Sequence, residues 1–370
     1  MNKTMSEPNS KRIIQLDGLR GIAVLFVVFF HYFNNAYANT AKTSLNAVET
    51  TIQKITYWGW AGVDLFFILS GFLIASILLQ NRGSKTYFST FYIRRFSRIV
   101  PIYYLLLILF VIAQQVFSDA QSKLFARPFH IGWYISFLQN LQMSMEGYFG
   151  AYALAPTWSL AVEEQFYLVI PWIIYFLKDK RVLVFCLLCI LLAPVYRTFS
   201  DNWYRSYTHL FARIDAPCYG VLLALLSRNK DWITWLKKNW WAFAGLLMAV
   251  LFSFFFLHVK ALNHSIISLA FMALVFVALR LQQKHFMYRF LTIPFLLKMG
   301  KYSYFIYLYH LVINGILFIC FSKHINPNLG EFQGYLVTTC SFLLTWFLAA
   351  VSFAYFEGRI IQWSHRFPYK

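Results

Sequence analysis

Apolar runs of about twenty residues, each long enough to cross a hydrocarbon layer as a helix rising 1.5 Å per residue, recur from end to end of this chain. They fall at 19–37, 57–80, 97–117, 157–177, 181–197, 209–227, 240–258, 264–281, 298–321 and 334–356. Composition agrees with this pattern. Hydrophobic residues make up 59% of the chain and charged ones 13%, where an ordinary globular protein carries about 25% charged residues. Such a chain could not cover its own surface in water. Disorder, a disulfide-stapled secreted module and a soluble nucleic-acid-binding domain are excluded. The reading is an all-α polytopic membrane helix bundle, one integral-membrane domain over 1–370 with about ten transmembrane helices. The stretch 129–145 is apolar but broken by Gly132, Gln139, Asn140 and Gln142. It reads as an interfacial or re-entrant part of the largest outer segment, 118–156.

The formal charge of +19 does not gather on one polar face; Lys and Arg recur in short clusters between the runs. With the N-terminus inside, 24 of the 33 fall in cytoplasmic segments and eight in outer loops, among them Arg197, with Arg213 inside a span. That bias is the positive-inside rule, with both termini cytoplasmic as tails 1–15 and 357–370. The partner it implies is the lipid bilayer, not nucleic acid. The first run and Ala36-x-Ala38 imitate a signal peptide with its cleavage site. Asp17 and Arg20 abut that run, however, and later spans need it for their orientation. Cys186, Cys189, Cys218, Cys320 and Cys340 all lie in apolar stretches and read as small buried residues, with no metal or redox role.

An ionisable side chain inside a span costs about 2.5–3.5 kcal/mol near the centre, so each needs a reason. Arg20 and His31 are eleven residues apart, and eleven steps of 100° return to nearly the same helix face. His31 then stands roughly 16 Å above Arg20, near mid-membrane. Asp64, Glu163, Glu164, Arg213 and Asp215 all fall between mid-membrane and the outer leaflet, as does His310, with Tyr307 on its own face at i−3. Seven ionisable groups at one depth point to a shared water-accessible cavity. Arg213 with Asp215 or Asp64 reads as a charge clamp. Glu163 and Glu164 diverge by about 100°, so one faces the cavity and the other makes a helix contact or serves a loop.

The chemistry open to this set is narrow. The sequence has no Ser or Cys beside a base at a recognisable spacing, no H-E-x-x-H and no phosphate-cradling Gly-rich loop. What remains is a histidine with carboxylates able to orient it. That suits proton abstraction from a hydroxyl, or a transiently acylated histidine. The same set also suits a proton-coupled transporter or exporter of an envelope sugar, though no inverted repeat of the kind carriers tend to have is visible. On the cytoplasmic side Arg94, Arg95 and Arg98 occupy one turn before Pro101. They read as topology anchors or as a receptor for a multi-phosphate ligand.

Taken in order, the motifs resemble the membrane acyltransferase-3 family. L-D-G-L-R-G-I-A-V-L-F-V-V-F-F-H carries the family's R-x(10)-H as Arg20 and His31. G-V-D-L-F-F-I-L-S-G-F-L, R-R-F-S-R-I-V-P-I-Y, T-W-S-L-A-V-E-E-Q-F-Y-L-V-I-P, R-I-D-A-P-C-Y-G and Y-S-Y-F-I-Y-L-Y-H follow, reaching from residue 16 to residue 310. The resemblance implies transfer of an acyl group, most often acetyl, from cytoplasmic acyl-CoA to a hydroxyl of a cell-envelope glycan: an O-antigen, a capsule, peptidoglycan or a lipid-linked sugar. It implies acyl-CoA (acetyl-CoA) as co-substrate, a carbohydrate acceptor, no metal, and residence in a bacterial cytoplasmic (inner) membrane. His31 and Glu163 become the catalytic pair, Arg20, Arg94, Arg95 and Arg98 the donor site, and Asp64, Glu164, Arg213, Asp215, Tyr307 and His310 the supporting cavity. Some relatives carry a further SGNH-type esterase domain; the expectation is a stand-alone transferase without one. Direct transfer and an acyl-histidine intermediate both remain open.

Overall fold

The computed structural model describes residues 13–34, 47–116, 124–229, 261–322 and 330–370, with Thr234 and Lys238 besides. The run at 240–258 lies outside them. Among the described residues there is no strand, and seven helices are long and apolar enough to cross a membrane. The chain is a multi-pass membrane protein. The elements that position the site are α1 (Ile14–Phe33), α2 (Gly62–Gln80), α3 (Tyr87–Val116), α4 (Thr157–Phe176), α5 (Asp179–Thr198), α6 (Asp215–Arg228), α7 (Asn263–Arg280), α8 (Pro294–Ser322) and α9 (Gly330–Ser352).

Two helix pairs form the centre: α1 against α8, and α2 against α6. Small residues let them approach. A Cβ on Gly300 of α8 would run into the Asp17 carbonyl of α1, and one on Gly71 of α2 into the Pro217 carbonyl of α6. Around this centre α3 and α5 turn an apolar band outward. Ile108, Ile112 and Val116 of α3 and Leu188, Leu191 and Leu192 of α5 are exposed, which is tolerable only where lipid covers them.

One end of the bundle collects the start of α1, whose Gln15 Nε2 donates to the Ala278 carbonyl at the end of α7 (3.1 Å). It also collects the turn after α2, where Arg82 pairs with Asp179 at 2.8 Å, and the C-terminal tail. That tail lies across the start of α3: the Lys85 N–H donates to the Lys370 carbonyl (2.6 Å), and the Thr86 and Thr90 hydroxyls donate to that of Pro368. The opposite end carries the segment before α4, with short helices Ile131–Ile135 and Gln139–Glu146. The polar residues that interrupt its apolar pattern are its anchors. Gln139 Nε2 donates to the Thr157 carbonyl at 2.8 Å, and buried Asn140 bonds Gln165 and the Thr208 carbonyl.

Three expectations need correction. The run at 209–227 is not one helix: Leu210–Arg213 and α6 meet at Ile214, between Arg213, which pairs with Asp64 of α2, and Asp215, which pairs with Arg197 of α5. Arg197 is not in an outer loop; it lies in the last turn of α5, 5% exposed. Of the cysteines, Cys186 and Cys218 are buried, but Cys320 and Cys340 are exposed on the outside of the bundle.

Candidate active site

The face arithmetic for α1 holds, but Arg20 and His31 open onto two different cavities. Arg20 lines an inner one of about 300 Å³, together with Asp17, Ser70, Arg95, Arg98, Glu163, Tyr167 and Tyr304. Three guanidiniums thus face two carboxylates within one small space. Arg95 lies 6.0 Å from the centre of the Tyr167 ring, and the Tyr167 hydroxyl shares a hydrogen bond with that of Ser70. Arg94, expected alongside, is turned away. Its Nη2 donates to the Phe367 carbonyl (3.2 Å) and its guanidinium stacks on Tyr369, so it fastens the C-terminal tail beside the cavity.

His31 lines an outer cavity of about 850 Å³. Its walls are largely aromatic: Tyr57, Trp60, Phe149, Trp158, Trp203 and Tyr207. Asn34, Asn202, Asn263, Asp201 and His264 stand among them. Planar rings interleaved with side-chain amides and a carboxylate suit a ligand with apolar faces and hydroxyl edges. Val63 and Tyr307 line both cavities and so form the wall between them. The Tyr307 hydroxyl is pinned there by Ser159 Oγ at 2.5 Å and by the Pro156 carbonyl, to which it donates at 3.2 Å.

His31 is partnered by His310, not by a carboxylate. His310 Nδ1 lies 2.8 Å from the Tyr307 carbonyl and 3.1 Å from that of Ile306, both acceptors only, so Nδ1 carries the proton. In the neutral ring Nε2 is then a lone pair, and it lies 3.0 Å from His31 Nδ1. His31 therefore donates through Nδ1–H, and its remaining nitrogen, Nε2, is left basic. Glu163 lines the inner cavity, which His31 does not. The structure thus separates the two residues that the sequence reading paired, and the ring beside His31 is that of His310. Glu164 lines neither cavity, and its Oε1 is buried without a hydrogen-bond partner.

The remaining buried charges form two clamps beside the outer cavity, and of them Arg197 alone lines it. Arg213 Nη2 donates to Asp64 Oδ1 at 2.8 Å, with side-chain exposures of 1% and 0%. The Arg213 guanidinium also lies among the Phe67, Trp158 and Tyr207 rings. Asp215 belongs to a second clamp, with Arg197 Nη2 at 3.0 Å and Ser265 Oγ at 2.5 Å. Arg197 also donates to the Ala261 and Ala212 carbonyls. Sequence reasoning missed Arg197, and it missed His264, which borders both the Arg213–Asp64 clamp and the outer cavity. The available signal was position. His264 opens an apolar run at the same outer depth as the other ionisable groups, and Arg197 closes one.

Among the described residues, no cluster of three or more His, Cys, Asp or Glu could hold a metal ion. The model of the acyltransferase-3 family, described as an acyltransferase domain, matches residues 13–354. The chain belongs to this family. It is 28% identical over 377 residues to the O-acetyltransferase OatA of Staphylococcus aureus (strain NCTC 8325), covering 93% of this chain and 56% of that protein. The peptidoglycan O-acetyltransferase OatA of Listeria monocytogenes is 31% identical over 189 residues, 48% of this chain and 26% of that one. The putative peptidoglycan O-acetyltransferase YrhL of Bacillus subtilis (strain 168) is 36% identical over 168 residues, 42% and 23%. The chain spans about half the length of the S. aureus relative. No solved structure matches it.

Proposed function

We propose that this acyltransferase-family protein moves an acyl group, acetyl in the first instance, from acyl-CoA to a hydroxyl of a cell-envelope glycan. The observation that carries the proposal is the pair of cavities meeting at Tyr307, an arginine-lined one on one side and a His31-lined one on the other. The relatives' names, O-acetyltransferase and peptidoglycan O-acetyltransferase, supply the class of group and acceptor. The protein resides in a bacterial cytoplasmic membrane, with the arginine cavity nearer the cytoplasmic end.

Acyl-CoA enters from that end. Arg20, Arg95 and Arg98 hold its phosphates, and Glu163 holds the guanidiniums apart and in place. The extended arm rises along the face of α1 that carries Arg20 and His31, a span of about 16 Å over eleven helical residues. It passes the wall at Tyr307 and delivers the thioester to the outer cavity. There a glycan hydroxyl, its sugar ring against the aromatic walls, gives its proton to His31 Nε2 as its oxygen attacks the thioester carbonyl. The C–O bond forms, the C–S bond breaks, and the CoA thiolate takes the proton back from His31. His310 holds His31 in the tautomer this requires.

The test is the O-acyl content of purified envelope glycan, by mass spectrometry and NMR, from cells making the protein or its His31→Ala variant at equal membrane levels. An ester present with the first and missing with the second is expected. The same ester in both would overturn the reading.

A further inference from the structure

Resting on that reading of the outer cavity, we propose that His264 is a second catalytic residue. Its Nε2–H is the hydrogen-bond donor for the oxyanion that forms at the acyl carbonyl while His31 takes the proton. His264 Nδ1 lies 2.5 Å from Arg213 Nη1. A guanidinium has no lone pair to offer, so it donates and Nδ1 accepts. The neutral ring must then carry its hydrogen on Nε2. Asp64 Oδ2 does not contest this, because at 3.7 Å from Nδ1 it lies beyond hydrogen-bond range.

The ring cannot swing to another partner without breaking this arrangement. Arg213 is itself fixed by Asp64. Trp60 meets the His264 ring edge-on with centroids 5.1 Å apart, and Tyr207 lies at 5.8 Å. His264 lines the outer cavity, and with Nδ1 turned into the buried clamp the edge that carries Nε2 is the one left to face that space. His31 and His264 thus present complementary edges to one space. Each tautomer is set by a buried partner behind it, His310 for one and Arg213 for the other. One offers a lone pair and the other an N–H. Acyl transfer needs both together, a base for the attacking hydroxyl and a preorganised donor where negative charge develops. A buried ion pair behind a histidine that only filled space would need no such orientation.

Two amide substitutions separate this role from a structural one, because asparagine places its amide near the Nδ1 position of histidine and glutamine near Nε2. His264→Asn keeps an acceptor for Arg213 and loses the donor; His264→Gln keeps the donor. The assay uses membranes from cells making the full chain, supplied with acetyl-labelled acetyl-CoA. It follows initial rates of label entering the envelope glycan, normalised to folded protein measured by detergent size-exclusion. The expected result is a saturating rate about 10²- to 10³-fold lower in His264→Asn. The apparent KM for acetyl-CoA should stay within about twofold, and His264→Gln should run at least about tenfold faster than the asparagine variant. A wild-type rate in His264→Asn, or a glutamine variant no faster than asparagine, would overturn the assignment while leaving the acyltransferase reading intact. Absence of label from the wild-type sample overturns both.

Discussion

Replacing His310 with leucine removes the ring nitrogen that lies 3.0 Å from His31 Nδ1 and leaves most of the apolar volume in place. Two costs follow. The first is energetic: a donor in a buried setting loses its acceptor, worth about 1–3 kcal/mol in stability. The second is chemical. Without the His310 nitrogen helping to fix the proton on Nδ1, His31 can carry it on Nε2 instead, and in that tautomer it has no lone pair toward the cavity. General-base assistance contributes about 10²- to 10⁴-fold to a rate, so His310→Leu should lose most of that range. His310→Gln, whose side-chain oxygen reaches nearly as far as Nε2, should recover at least about tenfold of the loss. The assay is label transfer from acetyl-CoA to envelope glycan in membranes, normalised to folded protein. The apparent KM for acetyl-CoA should remain near wild type, because His310 lies away from the arginine cavity. A His310→Leu protein that transfers at the wild-type rate would refute the tautomer argument, since His31 would then be shown to need no partner.

Other outcomes follow from the same geometry. Arg98→Ala removes one of three guanidiniums facing the inner cavity, and at about 1.5–3 kcal/mol for a charge-assisted bond should raise the KM for acyl-CoA about 10- to 100-fold. Its saturating rate should change little; a rate loss at unchanged KM would place Arg98 elsewhere in the mechanism. Arg197→Met strands Asp215, whose side chain is 1% exposed, without its cation. That should cost about 3–5 kcal/mol and be read as loss of folded protein, with Arg197→Met/Asp215→Asn partly restored. The exposed Arg205–Asp201 pair at 3.0 Å should matter by less than about 1 kcal/mol when cut, by the same stability measurement. Gly300→Val drives a side chain into the Asp17 carbonyl and forces α1 from α8, the two helices that carry His31 and His310. Activity should fall further than melting temperature suggests, because a shift of about 1 Å breaks the histidine contact before it unfolds the bundle.

Much of the bundle is legible in the sequence because spacing along one helix is a fixed quantity. Arg20 and His31 share a face of α1 by arithmetic alone, and both line cavities. Depth is less legible: Glu163, counted into the outer half, shares the inner cavity with Arg20, counted to the cytoplasmic side. What the sequence lacks is the azimuth of each helix about its own axis and its place in the bundle. Glu163 reads from the sequence as level with His31, yet α4 is set so that this carboxylate joins Arg20, Arg95 and Arg98. The same indeterminacy applies to Arg213, for which Asp64 and Asp215 were equal choices. The structure gives it Asp64 and gives Asp215 to Arg197. Arg94 and Arg95 differ by one residue and thus by about 100°, enough to send one to the C-terminal tail and the other into the cavity. Arg197 and His264 stand at the ends of apolar runs, where a hydropathy boundary does not distinguish a side chain in water from one turned inward.

The central claim is that a thioester acyl group crosses from the arginine cavity to a glycan hydroxyl at His31. Its most direct test supplies isotopically labelled acetyl-CoA to membranes containing the wild-type protein or His31→Ala, and measures free CoA and labelled glycan ester together. The account predicts label in the ester, one CoA released per ester formed, and neither product above background with His31→Ala. Glycan movement across the membrane without CoA release, or ester formation that persists in His31→Ala, would contradict it.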